Sequence, residues 1–358
     1  MKRSATKLIT AIVIAVLFPV FLFAQQVAEK KFTKSWNTNT QSTVEIINKF
    51  GDIQLIPWTK NEVQIDVLIK IEHSNADKAK ELLEYVNIKT SEEGSKIIVE
   101  TTFDEQINKF MTKQTDGHRV KILYTIHHPI YLMFDIKNKY GDLTIDELTG
   151  KSNFDIKFGD IKAKNLNFDD TKPFGQLDLS YGKAEIEKCS WMQFNIKYSD
   201  LTVNEATALI IISSYSNLAS GVIHSIVANS EYDNYKIKMI KNLVIDAKYS
   251  DISCDFLEKQ IVSNISYTDL KIHNIQGDFE KIKVDTKYGD VKLGISPSAC
   301  YTINASCEFG EIKVPEKANI NRHVGNYNVN ISGTVGCKES KSSTVEITGK
   351  YADIKLEN

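Results

Sequence analysis

The sequence predicts an all-β fold: a parallel β-solenoid, or β-helix, of about twelve 17–23-residue rungs with a small N-terminal αβ insert. Three observations lead there. One phrase recurs twelve times: an aromatic, a small residue, an acid or Asn, then aliphatics at alternate positions. Its aromatic stands at Phe50, Tyr140, Phe158, Tyr181, Tyr198, Tyr215, Tyr232, Tyr249, Tyr267, Tyr288, Phe309 and Tyr351. From Tyr140 the copies lie 18, 23, 17, 17, 17, 17, 18, 21 and 21 residues apart, then 42, which is twice 21. Within each copy the apolar residues alternate, the period of a strand with one face buried. That period excludes a helical repeat. The short unit excludes a propeller, whose blade takes about 40 residues.

The elements follow in order. Lys2, Arg3 and Lys7 precede an apolar run from Leu8 to Phe23 that ends at Ala24, so residues 1–24 read as a secretory signal peptide. An uncleaved anchor is the alternative, but the run is broken by Pro19 and short for a ~20-residue span. Residues 25–56 form the first rung, around Phe50. Residues 57–130 lack the phrase and read as an αβ insert that caps the rod, because a solenoid end exposes unpaired strand edges. Val63 to Ile71 alternate as a strand; Ala79, Leu82, Leu83 and Val86 take helical spacing behind Ser74-Asn75, an N-cap. Strands follow at Ile97–Val99 and Val120–Ile126. Residues 131–358 form the repetitive solenoid, with an irregular stretch at 316–344 where a copy near 330 lacks its aromatic. Around Tyr198, Phe194 and Ile196 share its parity, whereas Leu201 and Val203 are shifted by one. A bend at Ser199-Asp200 reconciles the two halves and places the aromatic column inside, as a ladder near the bend.

Charge narrows the functional classes. The 358 residues carry 44 basic and 46 acidic side chains, and only Arg3, Arg119 and Arg322 are arginine. A near-neutral, Arg-poor chain lacks the electrostatic footprint and the planar donors that nucleic-acid binding uses. Loss of the signal peptide leaves 41 basic against 46 acidic residues. No second long apolar run follows, so the mature chain is not expected to span a membrane. Cys189, Cys254, Cys300, Cys307 and Cys337 are odd in number and irregular in spacing, without a CxxC pair; most are expected to be core residues.

Three rows of side chains are the candidate sites. Acids follow the aromatic at Asp52, Asp142, Asp160, Asp200, Asp251, Asp269, Asp290, Glu311 and Asp353. Each is expected to cap its own bend by an Asx-type hydrogen bond; a calcium ladder along Asp200, Asp251, Asp269 and Asp290 is the alternative. Lys49, Lys139, Lys157, Lys197, Lys248, Lys287 and Lys350 precede the aromatic and form an outward row, a solvated face or an attractor for acidic polymers. The aromatics are the third row. His127-His128 beside Pro129 lacks a third ligand at metal spacing and reads as a strand end. No catalytic residue, cofactor or metal is assigned, and no GxSxG, HExxH, P-loop or dinucleotide fingerprint occurs.

The lysine-rich chain with its export signal, its Lys-aromatic-Gly-Asp-aliphatic phrase repeated to the C-terminus and its helix-bearing N-terminal insert resembles a bacterial family of unknown function. That family carries an adhesin label and is common in the cell envelope of Bacteroidota. The Gly-Asp turn of the family stands at Phe50, Tyr140, Phe158 and Tyr288, and drifts to Ser-Asp, Asp-Asn or Gly-Lys in the middle rungs. The resemblance implies an exported β-solenoid and brings no catalytic residues with it. The expected function is a non-enzymatic, adhesin-like or scaffold protein of the periplasm, outer surface or exterior. Its expected partner is an envelope protein or glycan, with self-association along the rod as a further expectation. The rival readings are a carbohydrate-active enzyme on a parallel β-helix and a periplasmic partner of an envelope-stress signalling system.

Overall fold

The computed structural model describes residues 26–107, 119–168, 175–316, 318–336 and 343–357; the expected signal peptide lies outside the described residues. Strand β1 (Gln26–Asn37) leads to β2 (Thr43–Lys49) and β3 (Ile53–Trp58), which flank Phe50. The insert supplies β4 (Glu62–His73), α1 (Ala76–Glu84), β5 (Val86–Glu93), β6 (Lys96–Phe103) and β7 (Arg119–Pro129). Next, β8 (Met133–Lys139) and β9 (Leu143–Leu148) flank Tyr140, β10 (Asn153–Lys157) and β11 (Ile161–Leu166) flank Phe158, and β12 (Gly175–Ser180) reaches Tyr181. Five long strands then run from one aromatic to the next: β13 (Lys183–Lys197), β14 (Asp200–Ser214), β15 (Asn217–Glu231), β16 (Asn234–Lys248) and β17 (Asp251–Ser266). After them come β18 (Asp269–Ile275), β19 (Lys281–Lys287), β20 (Val291–Ile295), β21 (Tyr301–Glu308) and β22 (Ile312–Lys313). The chain ends with β23 (Ala318–Val324), β24 (Asn328–Val335), β25 (Thr344–Lys350) and β26 (Ile354–Glu357).

The chain is a flattened parallel β-solenoid with two faces. Sheet A holds the strand before each aromatic and sheet B the strand after it. The first halves of β13 to β17 lie in sheet B and their second halves in sheet A. Pairing is parallel and in register from rung to rung, as at Phe194↔Ile211↔Ala228↔Ile245 in sheet A and Ala184↔Leu201↔Leu218↔Tyr235 in sheet B. Alternate residues of both sheets face one continuous aliphatic core. Tyr235 and, at the N-terminal end of the same column, Tyr124 are buried tyrosines, their hydroxyls satisfied by Ser213 at 2.8 Å and Thr101 at 2.7 Å.

All twelve phrase aromatics adopt positive φ, between 49° and 66°. This corrects the expected interior ladder. Parity places the aromatic inside only if the backbone stays extended through it; a left-handed residue turns its side chain out and the next one in. The rings are therefore outside, 42–53 % exposed from Tyr140 onward. The inward position at the bend belongs to Ser199, Ser216, Asp233, Ser250, Thr268 and Ala352, and elsewhere to a glycine. At Gly141 a Cβ would meet the Gly51 carbonyl oxygen at 1.9 Å, so that bend needs a residue without a side chain.

The rung order is also not the sequence order. β25 pairs with β19 on one side and β21 on the other, and β26 sits between β20 and β22. The last rung in sequence is thus the penultimate one in space. Residues 318–335 form no rung: β24 runs antiparallel to β21, and β23 antiparallel to β24. The N-terminal end mirrors this, since β2 lies between β6 and β8, and β3 between β7 and β9. Strands β4 and β1 extend sheet B antiparallel beyond β7, and β5 extends sheet A beyond β6. Helix α1 starts at its expected cap, with the Asn75 side chain accepting from Lys78 N at 3.0 Å, and packs against β1 and β4.

Cys189, Cys254 and Cys307 are buried free thiols, and desolvation pushes the first two up to about 12. Cys300 is disulfide-bonded, an oxidation that the odd cysteine count did not reveal; Cys337 lies outside the described residues.

Candidate functional site

The ladder is continuous from Phe50 to Phe309. Neighbouring rings stack at 4.7–5.3 Å with planes within 17°, in the order Phe50, Tyr140, Phe158, Tyr181 through Tyr288, Tyr351 and Phe309. The bend makes this geometry: each aromatic at positive φ projects from the same edge of the rod, and the ladder pitch is the strand spacing of about 4.8 Å. The ladder ends on the caps. Phe103 meets Phe50 edge-on at 5.9 Å, and Tyr327 leans on Phe309 at 5.3 Å and 34°. Because each ring face is occupied by its neighbours, the ladder presents edges and hydroxyls outward, not flat faces for sugar stacking.

The lysine row flanks the ladder on sheet A as expected. Lys49 Nζ lies 4.7 Å from the Phe50 ring centre, Lys139 5.0 Å from Tyr140, and Lys350 5.8 Å from Tyr351, distances at which cation–π attraction operates. The acids lie on the sheet B side, but they do not cap their own bends. Asp52 Oδ1 accepts from Asp142 N at 3.1 Å, Asp142 from Asp160 N at 2.8 Å, Asp269 from Asp290 N at 2.9 Å, and Asp290 from Asp353 N at 2.9 Å. Asp353 in turn accepts from Glu311 N at 3.0 Å. Each of these carboxylates ties one rung to the next, and Asp200 does the same by accepting from the Asn217 side-chain amide at 2.9 Å. Of the calcium-ladder candidates, Asp269 and Asp290 are engaged in this way, Asp200 accepts from Asn217, and Asp251 stands at the same place three rungs beyond Asp200 and one before Asp269. Among the described residues no group of three His, Cys, Asp or Glu side chains is placed to hold a metal ion.

The middle rungs hold the acid Asp233 at the bend, 5 % exposed. Its carboxylate accepts from Ser213 and Ser230 hydroxyls at 2.6 and 2.8 Å and from the amides of Ser216 and Glu231. Desolvation nonetheless holds it above the ordinary carboxylate range. His128 closes β7 as expected and is wholly buried, which pushes its imidazole below its usual value.

The outer face of sheet A is the surface that sequence reasoning missed. Its centre carries an apolar row, Ile210↔Val227↔Val244↔Val262, with Ile212 beside it half exposed. The run of four aliphatics at Leu209–Ile212, which breaks the alternation, was its signal. Concavities lie toward both ends of this face. In the N-terminal one Glu45 sits between Lys96 at 2.8 Å and Lys137 at 2.9 Å, and the Lys96 hydrogen bond, ahead of that from Lys137, holds its carboxyl below the usual range. The C-terminal concavity crosses β17, β19, β25, β21 and β24.

Among the described residues no helix is long and apolar enough to cross a membrane. No curated protein matches the chain. Among solved structures it is similar to a candidate adhesin from Parabacteroides merdae ATCC 43184, at 14 % identity over 74 % of this chain and 95 % of that one, with a TM-score of 0.33. It is similar to another candidate adhesin, from Parabacteroides distasonis ATCC 8503, at 11 % identity over 93 % and 98 % of the two chains and a TM-score of 0.31. A candidate lipid-binding protein from the same organism matches at 11 % identity over 92 % and 97 %, with a TM-score of 0.30. With superpositions this loose, nothing is carried over from them. The family model described as Toastrack DUF4097 matches residues 59–357, most of the repeat and its insert, and the chain belongs to that family.

Proposed function

We propose that the protein is a non-catalytic, exported binding protein of the cell envelope, adhesin-like or scaffolding, that engages a repeating polymer along its regular faces. One observation carries this: an exposed ladder of twelve rings, flanked by rows of lysine and acid, runs in register for about 55 Å along one edge of the rod. Equivalent groups repeated at a fixed pitch suit a ligand that is itself repetitive, for which many weak contacts add up to avidity. The carboxylates of the acid row are spread at most one per rung, and those of Asp52, Asp142, Asp269 and Asp290 are spent on backbone amides, which supports binding over catalysis. The N-terminal apolar segment and the disulfide at Cys300 support export to an oxidising compartment. The test is an array of glycans and envelope components, with a hydrolysis assay on the same panel. Binding without turnover is expected; turnover of any bound polymer overturns the reading.

A further inference from the structure

Two polar concavities on sheet A, one toward each end, differ in how their side chains are used. In the N-terminal one the groups satisfy each other: Lys96 and Lys137 bind Glu45, Asn153 donates to Asp135 at 2.9 Å, and Gln176 donates to Asp178 at 2.7 Å. The C-terminal concavity is larger, about 740 Å³, within the size range of ligand sites. Into it project Asn264, Asp285, Lys287, Ser306, Thr348 and Asn330, one or two from each of five adjacent strands. None of these six side chains has a hydrogen bond or ion pair to another described residue. The remaining charged pair at the site, Lys350 and Glu308, is closed at 2.9 Å.

Chemistry narrows the ligand. Two lysines and two carboxylates line the concavity, so its formal charge is zero and it does not select an ion. The backbone beneath is committed to the sheet, so an extended peptide cannot add to it by strand pairing. What remains is a strip of amides and hydroxyls, donors and acceptors together, repeated at about 4.8 Å and spanning roughly 19 Å over four strand intervals. That pattern matches a polyhydroxylated chain whose sugar units advance by a similar step. Tyr327, next in the chain to Asn328 of the lining, is 70 % exposed and has one face against Phe309. It offers at the end of the strip the flat ring face that the stacked ladder withholds.

We propose that this cleft binds an uncharged oligosaccharide laid along the rod axis, about one sugar per strand. The inference rests on the polymer-binding reading above and gives it a location. The test is calorimetric titration of the full chain with neutral oligosaccharides of glucose, xylose, mannose and N-acetylglucosamine, with oligogalacturonate as the acidic comparison. At least one neutral chain is expected to bind, with an affinity unchanged by added salt, since no net charge is involved. The exposed double substitution Asn264→Ala/Asn330→Ala is expected to weaken it about tenfold or more for two lost hydrogen bonds. Lys80→Ala, on the exposed face of α1, leaves it unchanged. Failure of every neutral oligosaccharide, or binding that survives the double substitution, overturns the cleft. If an envelope polymer still binds the double variant and is lost on ladder substitution, the broader reading stands without the cleft; if no envelope component binds at all, both fall.

Discussion

Tyr215 holds φ at 53°, a conformation that costs a side-chain-bearing residue about 1–2 kcal/mol and that glycine adopts freely. Twelve aromatics share it, so the strain must be offset locally, and the two stacked neighbours of each ring, worth about 0.5–1.5 kcal/mol apiece, are the offset. Tyr215→Ala loses the stacks and keeps the strain, and is expected to destabilise by about 2 kcal/mol. Tyr215→Gly is expected to cost about 1 kcal/mol less than alanine, the reverse of the order in an extended strand. Urea unfolding of the three proteins checks the order. Asp233 allows a second prediction at this scale. Its carboxyl is raised by desolvation, so the folded chain holds a proton that the unfolded chain releases as pH rises through the ordinary carboxylate range. The stability from this group is present below that range, falls as pH rises toward the raised value, and is absent above it. Asp233→Asn is expected to remove that fall, so its thermal midpoint gains on the wild type from acid to neutral pH. A constant gap between the two melting curves would refute the assignment.

Serine and threonine at the bend show how one position joins rungs into an element. Ser216 Oγ donates to Ser214 O at 2.9 Å and accepts from Ser199 N at 3.3 Å; Ser250 repeats this with Lys248 O and Asp233 N. The C-terminal rung depends on such neighbours more than any other, because β25 and β26 enter between rungs that precede them in sequence. In a rod whose repeats contact only adjacent repeats, removing an inserted rung detaches everything beyond it. Truncation after Gly336 is expected to abolish hydrogen-exchange protection in β21 and β24 while leaving β13 to β16 protected. Retained protection of β21 would mean that it re-pairs directly with β19. Much of this was legible in the sequence: the twelve copies, the two-residue period, the Asn75 cap and the strands of the insert all follow from local pattern. Two features were not. The copies at Tyr351 and Phe309 carry the same phrase, so periodicity cannot tell which of them stacks on Tyr288. Alternation records only parity, and a positive φ at the aromatic reverses what parity means, which is why the ladder lies outside. The C-terminal cleft had no local signal, since its polar residues come from five strands that are adjacent only in space.

At the scale of the molecule, the two sheets are closed onto each other at both ends. At the N-terminal end the outer strands β1 and β5 are linked by side chains: Lys30 reaches Asn87 at 3.2 Å, Lys34 reaches Thr90 at 3.2 Å, and Trp36 Nε1 donates to Glu92 at 2.8 Å. At the other end Arg322 of β23 donates to the Ile312 carbonyl of β22 at 2.9 Å, joining the last strand of sheet A to the last of sheet B. An open solenoid end would present two rows of unpaired backbone groups and template the next molecule. Here antiparallel strands and cross-sheet side chains occupy that place, so extension of the rod end to end is disfavoured. The chain is expected to sediment as a single monomeric species over a wide concentration range. Replacing residues 316–342 by a short linker uncovers the β21 edge and is expected to give dimers whose fraction rises with concentration, with circular dichroism confirming that the β content survives. Concentration-dependent polymers of the intact chain, or a hairpin-less chain that folds and stays monomeric, would show that the caps do not set the assembly state.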